Sequence, residues 1–306
     1  VEKTNRQKLM QEQISVEAKQ EEGWSEVISP QTSLLDLRLG DVWRYRDLLW
    51  LFVKRDFAAQ YKQTVLGPVW HFIQPIFTTV MFVLVFGKIA NIPTDGIPAL
   101  LFFMSGITIW NYFSSCVTST SNTFVTNAGI FGKVYFPRLV LPISVVVSNI
   151  VRFGIQFLLL LATMVYCHVK HVENYQLHIS INWLLIPVLV AMMAGIGLSI
   201  GIIISSLTTK YRDFTVLVGF AVQLAMYITP IVYPVSYLLT KAPKYVFIIK
   251  WNPLTPLIEG FKYALFGKPV NFEYSSLLYS LLFMCISFFI GAIMFNKVEK
   301  SFMDTV

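Results

Sequence analysis

Six apolar stretches, residues 69–90, 97–122, 139–167, 181–207, 214–233 and 274–295, constrain this chain more than anything else in it. A helix needs about 20 apolar residues to cross the roughly 30 Å hydrocarbon layer. Only helices and closed barrels satisfy every backbone polar group there. Runs this long and this apolar predict an all-α integral membrane protein with six transmembrane helices. The composition agrees: 55% hydrophobic residues, 13% charged and a mean hydropathy of +0.62 exclude an ordinary soluble domain. A net charge of +7 raises the question of nucleic acid, but the lysines and arginines are scattered between apolar runs and form no basic module. No nucleic-acid partner is expected. Cys116, Cys167 and Cys285 lie in or at the ends of apolar runs without CxxC spacing or a histidine cluster, so neither a metal site nor a disulfide framework is expected.

Between the second and third runs sits a short basic segment, Asn127 to Pro142, with Gly129, Gly132, Lys133, Pro137 and Arg138. An interruption this brief predicts a tight turn at one membrane face. Lys133 and Arg138, with no acid between them, favour the cytoplasmic side. The same segment also reads as a plain basic loop anchored by interfacial aromatics. Residues 1–33 are rich in Glu, Gln and Lys without a sustained apolar stripe and predict a mobile cytosolic tail; residues 34–306 form the membrane domain. On a helical wheel, Tyr45, Leu48, Leu49, Phe52 and Val53 share one arc of residues 41–62, while Arg44, Asp47, Lys54, Arg55 and Lys62 gather on another. That is the pattern of an amphipathic helix lying in the cytoplasmic interface. Residues 234–272 are too polar and Pro-broken to span, yet too aromatic for a simple loop, and predict a re-entrant helical hairpin on the periplasmic side before the last span. Its lysines, Lys241, Lys244, Lys250, Lys262 and Lys268, are expected to snorkel to headgroups. Six spans leave both termini in the cytoplasm.

No GxxxxGK[ST] occurs, so a Walker A loop is absent and any ATP hydrolysis belongs to another polypeptide. Most acids beyond the N-terminal region fall in loops or at span ends, which argues against a proton-coupled carrier. Arg152, near the middle of the third span, stands out. A charge at that depth costs at least about 2.5 kcal/mol and requires a partner or a wet cavity. It either faces the path of a substrate carrying pyrophosphate, or caps carbonyls and pairs with Asn149 or Gln156 inside the bundle. The Ser- and Thr-rich end of the second span, residues 110–122, reads first as close helix packing and second as the wall of a polar conduit. Arg44, Arg46, Lys54 and Arg55 suit either an isoprenoid diphosphate or bulk anionic lipid.

Four motifs, YKQTVLGPVWHFIQP (61–75), GKVYFPRLVLP (132–142), KYRDF (210–214) and WNPLTPLIEGFK (251–262), occur in an order that resembles the membrane subunits of ABC-2 type transporters exporting bacterial polysaccharides, O-antigen above all. The likeness runs from about Leu34 to the C-terminus. It implies a non-enzymatic permease of the inner membrane, working as a homodimer with two copies of a separate ATPase that binds the ATP and Mg. It implies no cofactor on this chain. The cargo it implies is an undecaprenyl-diphosphate-linked polysaccharide. By the same resemblance Gly132, Lys133, Val134, Tyr135, Phe136, Pro137 and Arg138 belong to a coupling helix seated on the ATPase, and Lys210, Tyr211, Arg212 and Asp213 to a second cytoplasmic contact. It also puts Trp110, Tyr112, Phe113, Tyr227 and Tyr233 along the translocation path, where aromatic rings stack on sugar C–H faces; Arg152 joins them if its pyrophosphate role holds. The rival readings are an ABC-2 permease for a drug or small lipid and, more distantly, a secondary transporter or a membrane-bound glycosyltransferase.

Overall fold

The computed structural model describes residues 39–61, 67–131, 136–177, 179–209, 211, 213–267 and 272–302. The expected N-terminal tail lies outside them. Every regular element among the described residues is helical. In order these are α1 (Leu39–Arg44), α2 (Arg46–Tyr61), α3 (Trp70–Phe82, continuing in wider π-helical turns over Val83–Ile89), α4 (Ala99–Ser121), α5 (Thr123–Phe131) and α6 (Val140–Val169). There follow α7 (Leu185–Thr208), α8 (Phe214–Ile228), α9 (Val235–Lys241), α10 (Val246–Lys250), α11 (Thr255–Phe266) and α12 (Tyr274–Phe302).

Five helical stretches among the described residues are long and apolar enough to cross a membrane: Trp70–Ile89, Ala99–Ser121, Val140–Val169, Ile181–Thr208 and Tyr274–Lys297. Each coincides with an expected span to within two or three residues. The remaining expected span, 214–233, is helical only over Phe214–Ile228, 15 residues, or about 22 Å at the helical rise. Pro230 is the reason. It has no N–H to continue the ladder, Thr229 adopts an extended backbone (φ −89°, ψ 144°), and the Ile231 amide folds back onto the Thr229 carbonyl at 2.7 Å.

The helix at the centre of the bundle is α4. In its most apolar stretch 78% of residues are buried, against 11% for Trp70–Ile89 and 22% each for α6 and α12, so α4 packs all round while the others leave wide apolar faces uncovered. It lies against α3, α6, α7, α8 and α11, and α7 lies against α12. Small residues set the α4–α7 approach: a Cβ on Gly201 would meet Thr120 Cβ at 2.5 Å, and one on Gly197 would meet Cys116 Cβ at 2.8 Å. The Thr208 hydroxyl then donates to the Ser121 carbonyl at 2.9 Å, locking the ends of α7 and α4 together.

The residues expected on the apolar arc of the 41–62 helix meet protein. Phe52 and Val53 are buried, and Tyr45, Leu48 and Leu49 are partly so; Phe52, with the last three, packs with Phe136, Leu139, Val140 and Leu141 at the start of α6. Trp43, Trp50 and Leu51 are left exposed. Phe52 and Phe136 rings stand 5.7 Å apart. Phe52→Ala should therefore cost about 3–5 kcal/mol, the range for truncating a buried aromatic. Hydrogen exchange across residues 46–61 of the solubilised protein checks this; unchanged protection would show that α2 is held by something else.

Residues 235–266 form three short helices separated at Pro243 and Pro253, with Pro256 in the first turn of the last. The last, α11, ends at Gly267 in the left-handed region (φ +60°), where glycine carries no Cβ penalty. Nearly every α11 residue is buried against α4 and α7.

Candidate functional site

At the end of the bundle where α4 turns into α5, a polar cavity of about 430 Å³ opens between α2, α4, α5 and α6. Its wall includes Arg55, Asp56, Thr123, Asn127, Ser148, Asn149 and Arg152. Arg55 is aimed by its neighbours. It donates twice to Asp56 Oδ1, at 2.9 and 2.7 Å, and once to Asn127 Oδ1 at 3.2 Å, and its guanidinium lies 4.8 Å from the Phe52 ring centroid. Asn127 in turn donates to the Thr123 carbonyl at 3.0 Å, across the local kink in α5 (φ −110°, ψ 15°). A single polar thread thus runs from α2 to the segment leading into Gly132–Arg138. Arg152 reaches the same cavity from α6, 12 residues beyond Val140, or about 18 Å along the helix. Gln156, one turn further on, accepts from Asn111 at 3.2 Å.

The residues expected to couple to an ATPase are only partly in view. Gly132, Lys133, Val134 and Tyr135, and likewise Lys210 and Arg212, lie outside the described residues. Phe136 is buried against Phe52, Pro137 and Arg138 are half-buried, and Tyr211 and Asp213 are exposed, with the Tyr211 ring 6.2 Å from that of Phe214. Of the basic set on α1 and α2, Arg44, Arg46 and Lys54 face outward, and Arg55 alone reaches the cavity.

The aromatic candidates are scattered. Trp110, Tyr112 and Phe113 are buried inside the bundle, with Trp110 against Phe113 at 5.3 Å and Tyr112 against Phe153 at 5.3 Å. Tyr227 is exposed at the end of α8, and the Tyr233 hydroxyl donates to the carbonyls of Tyr227 and Ile228 at 3.0 and 3.1 Å.

One constellation escaped the sequence reading. Lys262 was expected to snorkel outward, but its side chain is fully buried. Its Nζ donates to the Pro230 carbonyl at 2.8 Å, sits 3.8 Å from the Phe102 ring centroid and lies 3.5 Å from Glu259 Oε1. Glu259 is 2% exposed, and its carboxylate oxygens make no hydrogen bond. Burial opposes both charges; their mutual attraction offsets it for both, and the Pro230 carbonyl, the Phe102 ring and the charge of Asp95 offset it for Lys262. The carbonyl is available because the helix stops at Ile228. The signal was present in WNPLTPLIEGFK: a Glu and a Lys three apart on an otherwise apolar helix share a face.

Among the described residues, an all-helical bundle with five membrane-length helices, a charged cavity at one end and a buried ion pair on α11 defines a multi-pass membrane protein with polar features inside its apolar frame. Residues 47–266 match the ABC-2 type transporter family, and the chain belongs to that family. Its sequence is 28% and 27% identical to two Klebsiella pneumoniae proteins, each named O-antigen export system permease protein RfbA, over 259 residues that cover 84% of this chain and 94% of each relative. A Myxococcus xanthus protein of the same name is 27% identical over 223 residues, 72% of this chain and 81% of the relative.

Proposed function

We propose that this chain is the membrane-spanning subunit of an ATP-driven exporter that moves a lipid-linked polysaccharide of the O-antigen type across the bacterial inner membrane. The observation that carries this reading is the alignment with O-antigen export permeases over 94% of their length. In this reading α8 and the Thr229–Tyr233 turn make a sixth crossing, both termini are cytoplasmic, α1 and α2 sit at the cytoplasmic face, and residues 235–266 form a periplasmic re-entrant hairpin. The chain acts as a homodimer with two copies of a separate ATPase, which holds the ATP and Mg. Gly132–Arg138 and Lys210–Asp213 transmit the ATPase's motion. The burial of Phe136 against Phe52, with the Arg55–Asn127 bond, supports a mechanical link from that contact to α2. ATP drives transport only by binding the two transporter states unequally. The burial of Trp110, Tyr112 and Phe113 favours a path that opens between two copies over one through a single bundle.

Deletion of the chain in its native host should abolish surface polysaccharide and leave the lipid-linked polymer inside, with restoration from a plasmid; polymer immunoblots of whole and fractionated cells read this. A tagged copy should retain a soluble ATPase in near-equal amount. Normal surface polymer in the deletion strain would sink the proposal. An apolar cavity of about 420 Å³ between α4, α7, α8 and α12 favours a second reading, export of a drug or small lipid. Unchanged polymer with raised drug sensitivity would select it.

A further inference from the structure

We propose that the apolar cavity between α4, α7, α8 and α12 is the seat of one acyl chain of a bilayer phospholipid, which enters beside the start of α8 and lies along that helix for the depth of one leaflet. The cavity is a long slot. On α8 its wall is formed by Phe214, Leu217, Val218, Ala221, Val222 and Ala225, one face of the helix, and on α7 by the row from Ile196 to Leu207. Each row runs for about 16 Å at the helical rise, and half of the roughly 30 Å hydrocarbon layer is about 15 Å. Protein alone holds α8 thinly. Among its described residues only Val218 is buried, while Leu217, on the slot wall, is 54% exposed, so the slot communicates with the surrounding hydrocarbon beside α8.

The slot asks for no charge and no hydrogen bond. Asn252 is its one polar side chain among the described residues, and it is already spent: its Oδ1 accepts from the Leu254 amide and its Nδ2 donates to the Thr229 hydroxyl, each at 3.0 Å. Water settles in a cavity only where polar partners hold it, and a sugar or a charged head would forfeit its hydrogen bonds there. A hydrocarbon chain forfeits nothing. Asn252 also gives the direction. Thr229 follows the last residue of α8, so the turn from Asn252 to Leu254 floors the slot at that end. At the other end a second hollow, of about 580 Å³, shares Phe214 and Leu217 with the slot and is completed by Asp213 and the exposed Val216 and Phe220. A two-chained lipid with its head beside Asp213 can lay one chain in each. The chain in the slot then completes the packing of α8 on α4 and α7. The site rests on the membrane class alone, whichever cargo is carried; only placing the lipid in the cytoplasmic leaflet rests on the function proposed above.

The test uses the full chain with its copurified ATPase in nanodiscs of phosphatidylethanolamine and phosphatidylglycerol. A phosphatidylethanolamine probe carries a photoreactive diazirine near the head, at mid-chain or near the methyl end, and mass spectrometry identifies the labelled residues. Ile200 and Val222, inside the slot, should be labelled as strongly as Val216, Phe220 and Leu224, which are exposed on α8. Within the slot the label should move from the level of Leu217 to that of Ala225 as the diazirine moves toward the methyl end. Ala225→Leu, which fills the slot near its floor, should lower methyl-end labelling there several-fold and leave Phe220 and Leu224 unchanged. Labelling of the wild type confined to Val216, Phe220 and Leu224 would overturn the proposal, as it would if a second copy of the chain covered the slot, and this holds even if the Ala225 variant fails to fold. Label moving from Ala225 to Leu217 would overturn the entry beside α8's start and with it the assigned leaflet. Because crosslinking is read on purified protein, neither result depends on the surface-polymer phenotype.

Discussion

Lys262→Met should destabilise the protein by about 3–5 kcal/mol, the cost of removing one partner from a buried ion pair. The loss has three parts. Glu259, 2% exposed, would keep its charge or proton with no cation beside it, the Pro230 carbonyl would lose its donor at 2.8 Å, and the Phe102 ring would lose the ammonium over its face. Glu259→Gln alone should be milder, since an amide needs no counter-charge. The double variant Glu259→Leu/Lys262→Met should recover much of the stability, because well-packed apolar residues replace a buried pair at little or no net cost. Thermal inactivation of the detergent-solubilised protein, followed by loss of its monodisperse chromatographic peak, measures all three. If Lys262→Met melts with the wild type, the pair does not hold α11 to the break after α8. If the double variant is stable yet transports poorly, the pair serves movement of α11 and not its anchoring.

A leucine at Gly201 should push α4 and α7 apart and cost about 1–3 kcal/mol or more, the range for overpacking a tight interior. Its Cβ would stand 2.5 Å from Thr120 Cβ, 2.8 Å from Thr120 Cγ2 and 3.3 Å from the Val117 carbonyl. These atoms belong to the helix that packs against most of the others, so they cannot yield without moving the bundle's centre. The Thr208–Ser121 bond, less than two turns away, should break with it. Gly154 on α6 is the control: a Cβ there meets nothing within 4 Å, and Gly154→Ala should be neutral or stabilising by up to about 1 kcal/mol through helix propensity. The same melting assay separates the two. Equal melting of both variants would mean that α4 and α7 are not closely apposed in the membrane.

The membrane class, five of the six expected spans and the helix at residues 46–61 were legible in the chain because they depend on local quantities: length of apolar run, position of proline, and repeat of side chains at the helical period. The shortness of α8 was not read: residues 214–233 were expected to span, although Pro230 lies among them and the helix stops at Ile228. What α2 packs against was not. An apolar arc looks the same whether lipid or protein covers it, and only the tertiary structure puts Phe52 on Phe136. Lys262 followed the same rule: a lysine in a polar-looking segment is assigned to water until the fold brings the free carbonyl of Pro230 and the carboxylate of Glu259 to it. Trp110, Tyr112 and Phe113 read as candidates for a conduit by residue type, but type does not say which side of a helix becomes the bundle's centre. The sequence by itself determined that this chain must satisfy its backbone within a bilayer as helices, and, for five of the six expected spans, where those helices begin and end to within two or three residues. The tertiary structure alone decided which polar groups share a cavity and which charges share a partner, because those pairings join Arg55 to Arg152 and Lys262 to Pro230 across stretches of chain that no local period connects.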